Sequence, residues 1–114
     1  AIQGSAMGDV AGAARAVEEL GLSGKVKVIG TSLVSVSGKY VESGTISSIG
    51  FWDPALAGQA MIEIAIAALE NKAADGLALT VPGYEKLKLV DKVFYASAWI
   101  DVDINNVKDP AYGF

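Results

Sequence analysis

Residues 10–30, VAGAARAVEELGLSGKVKVIG, carry the pattern on which the reading of the fold turns. Val10, Ala13, Ala14, Val17 and Leu20 recur at helical spacing and give one apolar face, and Gly21 is the residue type at which such a helix stops. Asp9 stands in front as an N-cap, which predicts a helix over 10–20. Lys25-Val26-Lys27-Val28-Ile29-Gly30 then alternates and turns apolar, as a strand entering a parallel sheet does, and Gly30-Thr31-Ser32 follows at its carboxyl end.

The same unit repeats on either side. Ala1 to Gly4 resembles the tail of a strand, with Gly4-Ser5-Ala6-Met7-Gly8-Asp9 as a small-residue loop, so the chain is expected to start mid-domain. A weaker helix passes through Val36, Tyr40 and Val41 to Gly44, and Thr45 to Trp52 forms the next strand. Asp53-Pro54 supplies an N-cap and a first-turn proline for a helix to Lys72, rich in Ile, Leu and Ala. Short β segments are predicted over Leu77–Val81, Lys86–Val90 and Lys92–Ile100.

This order predicts an α/β fold with a parallel sheet built from βα units. Ligands sit outside the carboxyl ends of the strands in such sheets, so the candidate functional loops are Ser5–Gly8, Thr31–Ser35 and Phe51–Asp53.

Composition narrows the chemistry. The chain has 114 residues, a net charge of −4, no histidine and no cysteine. That excludes Cys or His zinc sites, disulfides, thiol nucleophiles and imidazole bases, and the acidic balance excludes a phosphate-neutralising surface, so no nucleic acid is expected as a partner. The longest apolar stretch, Met61 to Leu69, is broken by Glu63 and is far shorter than the roughly 20 residues of a membrane span. The N-terminus shows neither a charged leader nor a cleavable apolar segment: either a signal lay further upstream or the protein was never exported.

Few residue sets point to a site. Gly4-Ser5-Ala6-Met7-Gly8 has two glycines of a phosphate-cradling turn, but it lacks a third glycine and a P-loop lysine, and a tight βα turn explains it. Glu18, Glu19, Glu63 and Glu70 read as solvated helix faces, and Asp101 and Asp103 as an exposed strand face rather than a cation site. No catalytic residue, cofactor or metal is assigned. Trp52-Asp53 differs, because an indole face stacks on the C–H surface of a sugar while a carboxylate accepts hydrogen bonds from hydroxyls. The alternative, a core tryptophan beside a helix cap, stands open.

Together these segments resemble a family. Val10 to Gly21 with Gly24 to Gly30, then Tyr40-Val41-Glu42-Ser43-Gly44-Thr45-Ile46, then Phe51-Trp52-Asp53-Pro54, are similar to the type I periplasmic solute-binding proteins of sugar ABC importers. Trp52-Asp53 and the terminal Asn and Tyr-x-Phe residues resemble the subgroup of autoinducer-2 and rhamnose binders. The resemblance implies a two-lobed binding protein of which this is the C-terminal portion: residues 1–53 as second-lobe βα units, 54–76 as a helix of the other lobe, and 77–114 as the hinge crossing and final β segments.

The resemblance also implies a non-enzymatic protein outside the cytoplasm, lipid-anchored in a Gram-positive source. Its partners would be a sugar or sugar-like ligand, a membrane permease, and the missing N-terminal portion or a second copy. The ligand-contacting positions carried over are Ser5, Met7, Thr31, Ser32, Trp52 and Asp53. Autoinducer-2 binders have Pro and Ala where Ser5 and Met7 stand, and ribose-type relatives have Asp in the loop of Thr31 and Ser32. The effector-binding half of a sugar-responsive transcription regulator shares these lobes and is the alternative.

Overall fold

The computed structural model describes residues 1–114. The chain divides into two compact units, one of Ala1–Phe51 with Ile100–Phe114 and one of Trp52–Trp99.

The first unit is a four-stranded sheet ordered β1 (Ile2–Gly4), β2 (Val28–Thr31), β3 (Ile46–Phe51), β6 (Ile100–Val102). The first three strands run parallel, and β6 returns antiparallel along β3. Helix α1 (Met7–Glu19) packs on β1 and β2, α2 (Val34–Glu42) packs on β3, and the two helices touch each other. Val10, Ala14 and Val17, one stripe of α1, are buried against Val28, Val41, Ile46, Ile49 and Val102. Each fully buried aliphatic side chain of this kind is worth about 1.5–3 kcal/mol, so this layer dominates the unit's stability.

The closest approach lies where β1 and β2 pass beneath α1. Gly4 pairs with Gly30 across the ladder, and a Cβ on Gly4 would come within 2.6 Å of the Val10 side chain. Gly30 has φ +151°, and a Cβ there would overlap the Gly4 carbonyl oxygen. Only glycine allows both the backbone conformation and the spacing.

Helix α1 ends as its sequence predicts. Gly21 has φ +64°, its N–H donates to the Glu18 carbonyl, and the Leu22 N–H donates to Val17 at 2.9 Å while the Leu22 side chain packs on the core. Its start differs: Met7 opens the helix behind Ala6, whose carbonyl accepts from the Asp9 and Val10 N–H groups, so Asp9 lies in the first turn instead of at the N-cap. Its charge still favours the positive helix end.

Carboxylates expected to be only solvated make bonds. Glu18 Oε1 accepts from Ser43 Oγ at 2.9 Å and Thr45 Oγ1 at 2.8 Å, tying the end of α1 to the turn between α2 and β3. Glu19 pairs with Arg15 one turn back, and Glu70 with Lys72. The C-terminal tail closes the unit, with Tyr112 and Phe114 edge-on to Phe51 at centroid distances of 6.2 and 5.4 Å.

The second unit consists of α3 (Pro54–Leu69) and a hairpin of β4 (Lys88–Val90) and β5 (Val93–Tyr95). Ala60 of α3 is buried with Leu79, Val81 and Leu87, and Leu56 and Ile64 pack beside them. Met61, Ile62, Ile66 and Leu69 of the same helix are exposed, at 71%, 63%, 50% and 84%. A helix apolar on both sides is the pattern of an element buried all round. No helix is long and apolar enough to cross a membrane.

Three predicted β segments are altered. Leu77–Val81 is irregular, with a bend at Thr80 and Val81, and not a strand, because its polar backbone is satisfied elsewhere: Leu77 O accepts from Leu87 N, and Thr80 N donates to the Glu63 carboxylate at 3.0 Å. Lys86–Val90 shortens to β4. Lys92–Ile100 breaks into β5 and β6, which join different sheets, and the hairpin turns on Asp91 and Lys92 with φ +46° and +68°. That is the twist of a primed turn, without the glycine that usually announces one.

Two predictions follow from the packing. Gly30→Ala should lose at least about 3 kcal/mol of stability or fail to fold, combining backbone strain with the overlap. Gly12→Ala, in open space on the exposed face of α1, should gain about 0.5–1 kcal/mol in the same urea titration.

The third concerns acid. The Thr80 hydroxyl, and then its backbone N–H, hold the Glu63 carboxyl below its usual 4.5. A depressed folded value means the contact's full stabilisation is present above the unfolded pKa and is lost as pH falls through the folded one. Urea midpoints should therefore fall as the pH drops below about 4.5, and Glu63→Gln should make that fall shallower without abolishing it, since Glu85 is also held low by backbone N–H groups, while leaving a lower plateau at neutral pH.

Candidate functional site

The parallel register decides what the first unit gathers. Because Gly4 lies beside Gly30, the residues that follow, Ser5 and Thr31, emerge together at the carboxyl edge of the sheet. Ser5 is exposed, Met7 opens α1 with 42% of its surface free, and Thr31 is half-buried. Ser32 is different: it is 2% exposed, its N–H donates to Gly50 O, and its hydroxyl bonds Ser37 Oγ at 2.6 Å. It holds the turn from β2 into α2, and the open hydroxyl at this edge belongs to Thr31.

Trp52 and Asp53 open the second unit. Asp53 Oδ1 accepts from Ala55 N at 2.7 Å and Leu56 N at 3.2 Å, so the cap read from the sequence is present, with Pro54 in the first turn. Trp52 is 47% exposed and so is no core residue. Its ring meets that of Trp99, 53% exposed, at a centroid distance of 5.8 Å and an interplanar angle of 38°.

Sequence reasoning missed Trp99. It read as one more residue of a continuous strand, and the only signal was that the chain has just two tryptophans. Asp103 serves its own turn, accepting from the backbone and side chain of Asn105. Nowhere do three or more carboxylates gather closely enough to hold a metal ion. Two surface grooves of the second unit, one lined by Ile66, Glu70 and Leu79 and one by Asp75, Lys86 and Lys88, lie away from the candidate residues.

What the arrangement offers chemically is neutral hydroxyls and a thioether at one sheet edge, and an exposed indole beside a carboxylate in the second unit. Groups of these kinds can take up the apolar faces and the hydroxyls of a small ligand.

The family model for the periplasmic binding protein domain matches residues 1–73, more than half of the chain. The chain belongs to that family. A solved structure described as LsrB from Clostridium saccharobutylicum in complex with AI-2 superposes with a TM-score of 0.68 at 15% sequence identity. The match covers 95% of this chain and 38% of that one. No sequence among the curated proteins matches. The observed parallel βα units are thus part of a periplasmic-binding-protein fold, and the chain spans well under half the length of the structure it resembles.

Within this periplasmic-binding domain the cap at Asp53 can be weighed by substitution. Asp53→Ala should cost about 1 kcal/mol in thermal or urea unfolding, whereas Asp53→Asn, an equally good cap, should stay within a few tenths of the parent.

Proposed function

We propose that this chain is the C-terminal part of the substrate-binding component of an ABC importer for a sugar or a sugar-like signal such as AI-2. One observation carries the reading: a sheet of the periplasmic-binding family presents Ser5, Met7 and Thr31 at its carboxyl edge, where open α/β sheets take their ligands. Trp52 and Asp53 follow directly on β3, an indole for the C–H face of a ring and a carboxylate for its hydroxyls. The AI-2 in the description of the matching structure supports the ligand class.

In this reading the protein binds without chemistry, outside the cytoplasm, and hands its ligand to a membrane permease. Residues 1–53 belong to one lobe, the helix within 54–76 to the other, and 77–114 complete the crossing and the sheet edge. The apolar outer face of α3 packs against the remainder of a longer chain. Ser32, with its hydroxyl on Ser37 and its N–H on the Gly50 carbonyl, fixes the turn that carries Thr31.

The test is calorimetric titration of the whole gene product with AI-2, L-rhamnose and D-ribose. One of them should bind with Kd near or below about 1 μM, equivalent to about −8 kcal/mol. The residues contributed by this chain include no histidine or cysteine, so they add no dependence on pH between about 6 and 8 to that binding. Asp53→Asn should weaken it about ten- to a hundredfold, the loss of a charged acceptor. Absence of binding by all three would refute the reading.

A further inference from the structure

The ladder between β3 and β6 ends at the pair Phe51 and Ile100. In an antiparallel register the next residues outward, Trp52 and Trp99, stand opposite one another, and facing side chains one step beyond a ladder meet as cross-strand neighbours do. Their rings do so at 5.8 Å. Trp99 thus stands beside Trp52 one step past the last paired residues of the ladder, held there by the contact of the two rings.

Both indoles leave about half their surface uncovered, 47% and 53%. Large aromatic side chains are normally well buried, and those left open in contact with each other form a surface suited to binding. A single indole face matches one face of a sugar ring. A second, tilted by 38°, extends the apolar surface past the edge of that ring.

We propose that Trp99 is a second ligand-contacting residue, forming with Trp52 a composite aromatic platform that takes a sugar-like ligand by an apolar edge, a methyl or a run of C–H groups. This rests on the reading of Trp52 as a sugar-stacking residue and adds a specificity element that the strand sequence did not announce. The platform favours deoxy and methyl-bearing ligands, since a hydroxymethyl group laid on the second ring loses hydrogen bonds to water without replacing them.

The test uses the whole gene product, with AI-2, L-rhamnose and D-ribose as probes, L-mannose as the hydroxylated counterpart of L-rhamnose, and the substitutions Trp52→Ala, Trp99→Ala, Trp99→Phe and Tyr95→Ala. Tyr95 is an equally exposed aromatic, on β5. Trp99→Ala should weaken the best probe about three- to tenfold and narrow any preference for L-rhamnose over L-mannose. Trp99→Phe should fall between it and the parent, and Tyr95→Ala should change nothing. Near-UV circular dichroism should show the coupled Trp signal in the parent and its loss in either Trp variant, with far-UV spectra unchanged. If Trp99→Ala does not fold, Trp99→Phe carries the comparison, and parental affinity in that variant counts against the proposal. Weakening by Trp52→Ala with parental affinity in Trp99→Ala would overturn the role of Trp99 and leave the Trp52 site standing. No binding of any probe by the parent would overturn both.

Discussion

Backbone contact between two strands under a helix governs the first unit. Gly4 and Gly30 sit side by side, and Val10 of α1 closes on them so nearly that a Cβ on either would strike its neighbour. This contact brings α1 down onto the sheet and seals Val28 from water. It also fixes the level at which β1 and β2 release their chains, so Ser5 and Thr31 emerge together. The layout of this edge is a consequence of packing: glycines that allow close approach set the positions of the residues that follow them.

The second unit obeys a different constraint. Asp53 and Pro54 start α3 by satisfying and omitting N–H groups that a helix end leaves open. The helix then buries Ala60 against Leu79, Val81 and Leu87, and leaves Ile62, Ile66 and Leu69 facing out. Such a helix is written for two neighbours and finds one within these 114 residues.

Legibility in the sequence followed the physics of range. Helix ends written by short-range rules were plain: Gly21 and Gly44 as left-handed stops, Asp53-Pro54 as a start. The parallel strands showed as apolar runs between those signals. Asp9 misled because its residue type suits a cap, whereas the turn from Gly4 fixes the start of α1 earlier, at Ala6. Leu77–Val81 misled because an apolar run packing on α3 looks the same whether its backbone pairs with a strand or bonds to Glu63. Trp99 was invisible for the most general reason: its place depends on the antiparallel return of β6 to β3, a pairing between residues about fifty apart that no local pattern encodes. That Ser5, Met7, Thr31 and Trp52 lie just beyond or at the ends of strands was readable in the sequence, whereas the difference in exposure between Thr31, half open, and Ser32, buried against Ser37, was not.

If, as proposed, these residues are part of a two-lobed binding protein, the lobes close on the ligand, and closure is a change of shape. Small-angle X-ray scattering of the whole gene product measures it directly, with and without a saturating amount of whichever of AI-2, L-rhamnose or D-ribose binds. Hinged closure predicts a smaller radius of gyration and a shorter maximum dimension in the presence of ligand. Superimposable scattering curves at full occupancy would contradict it.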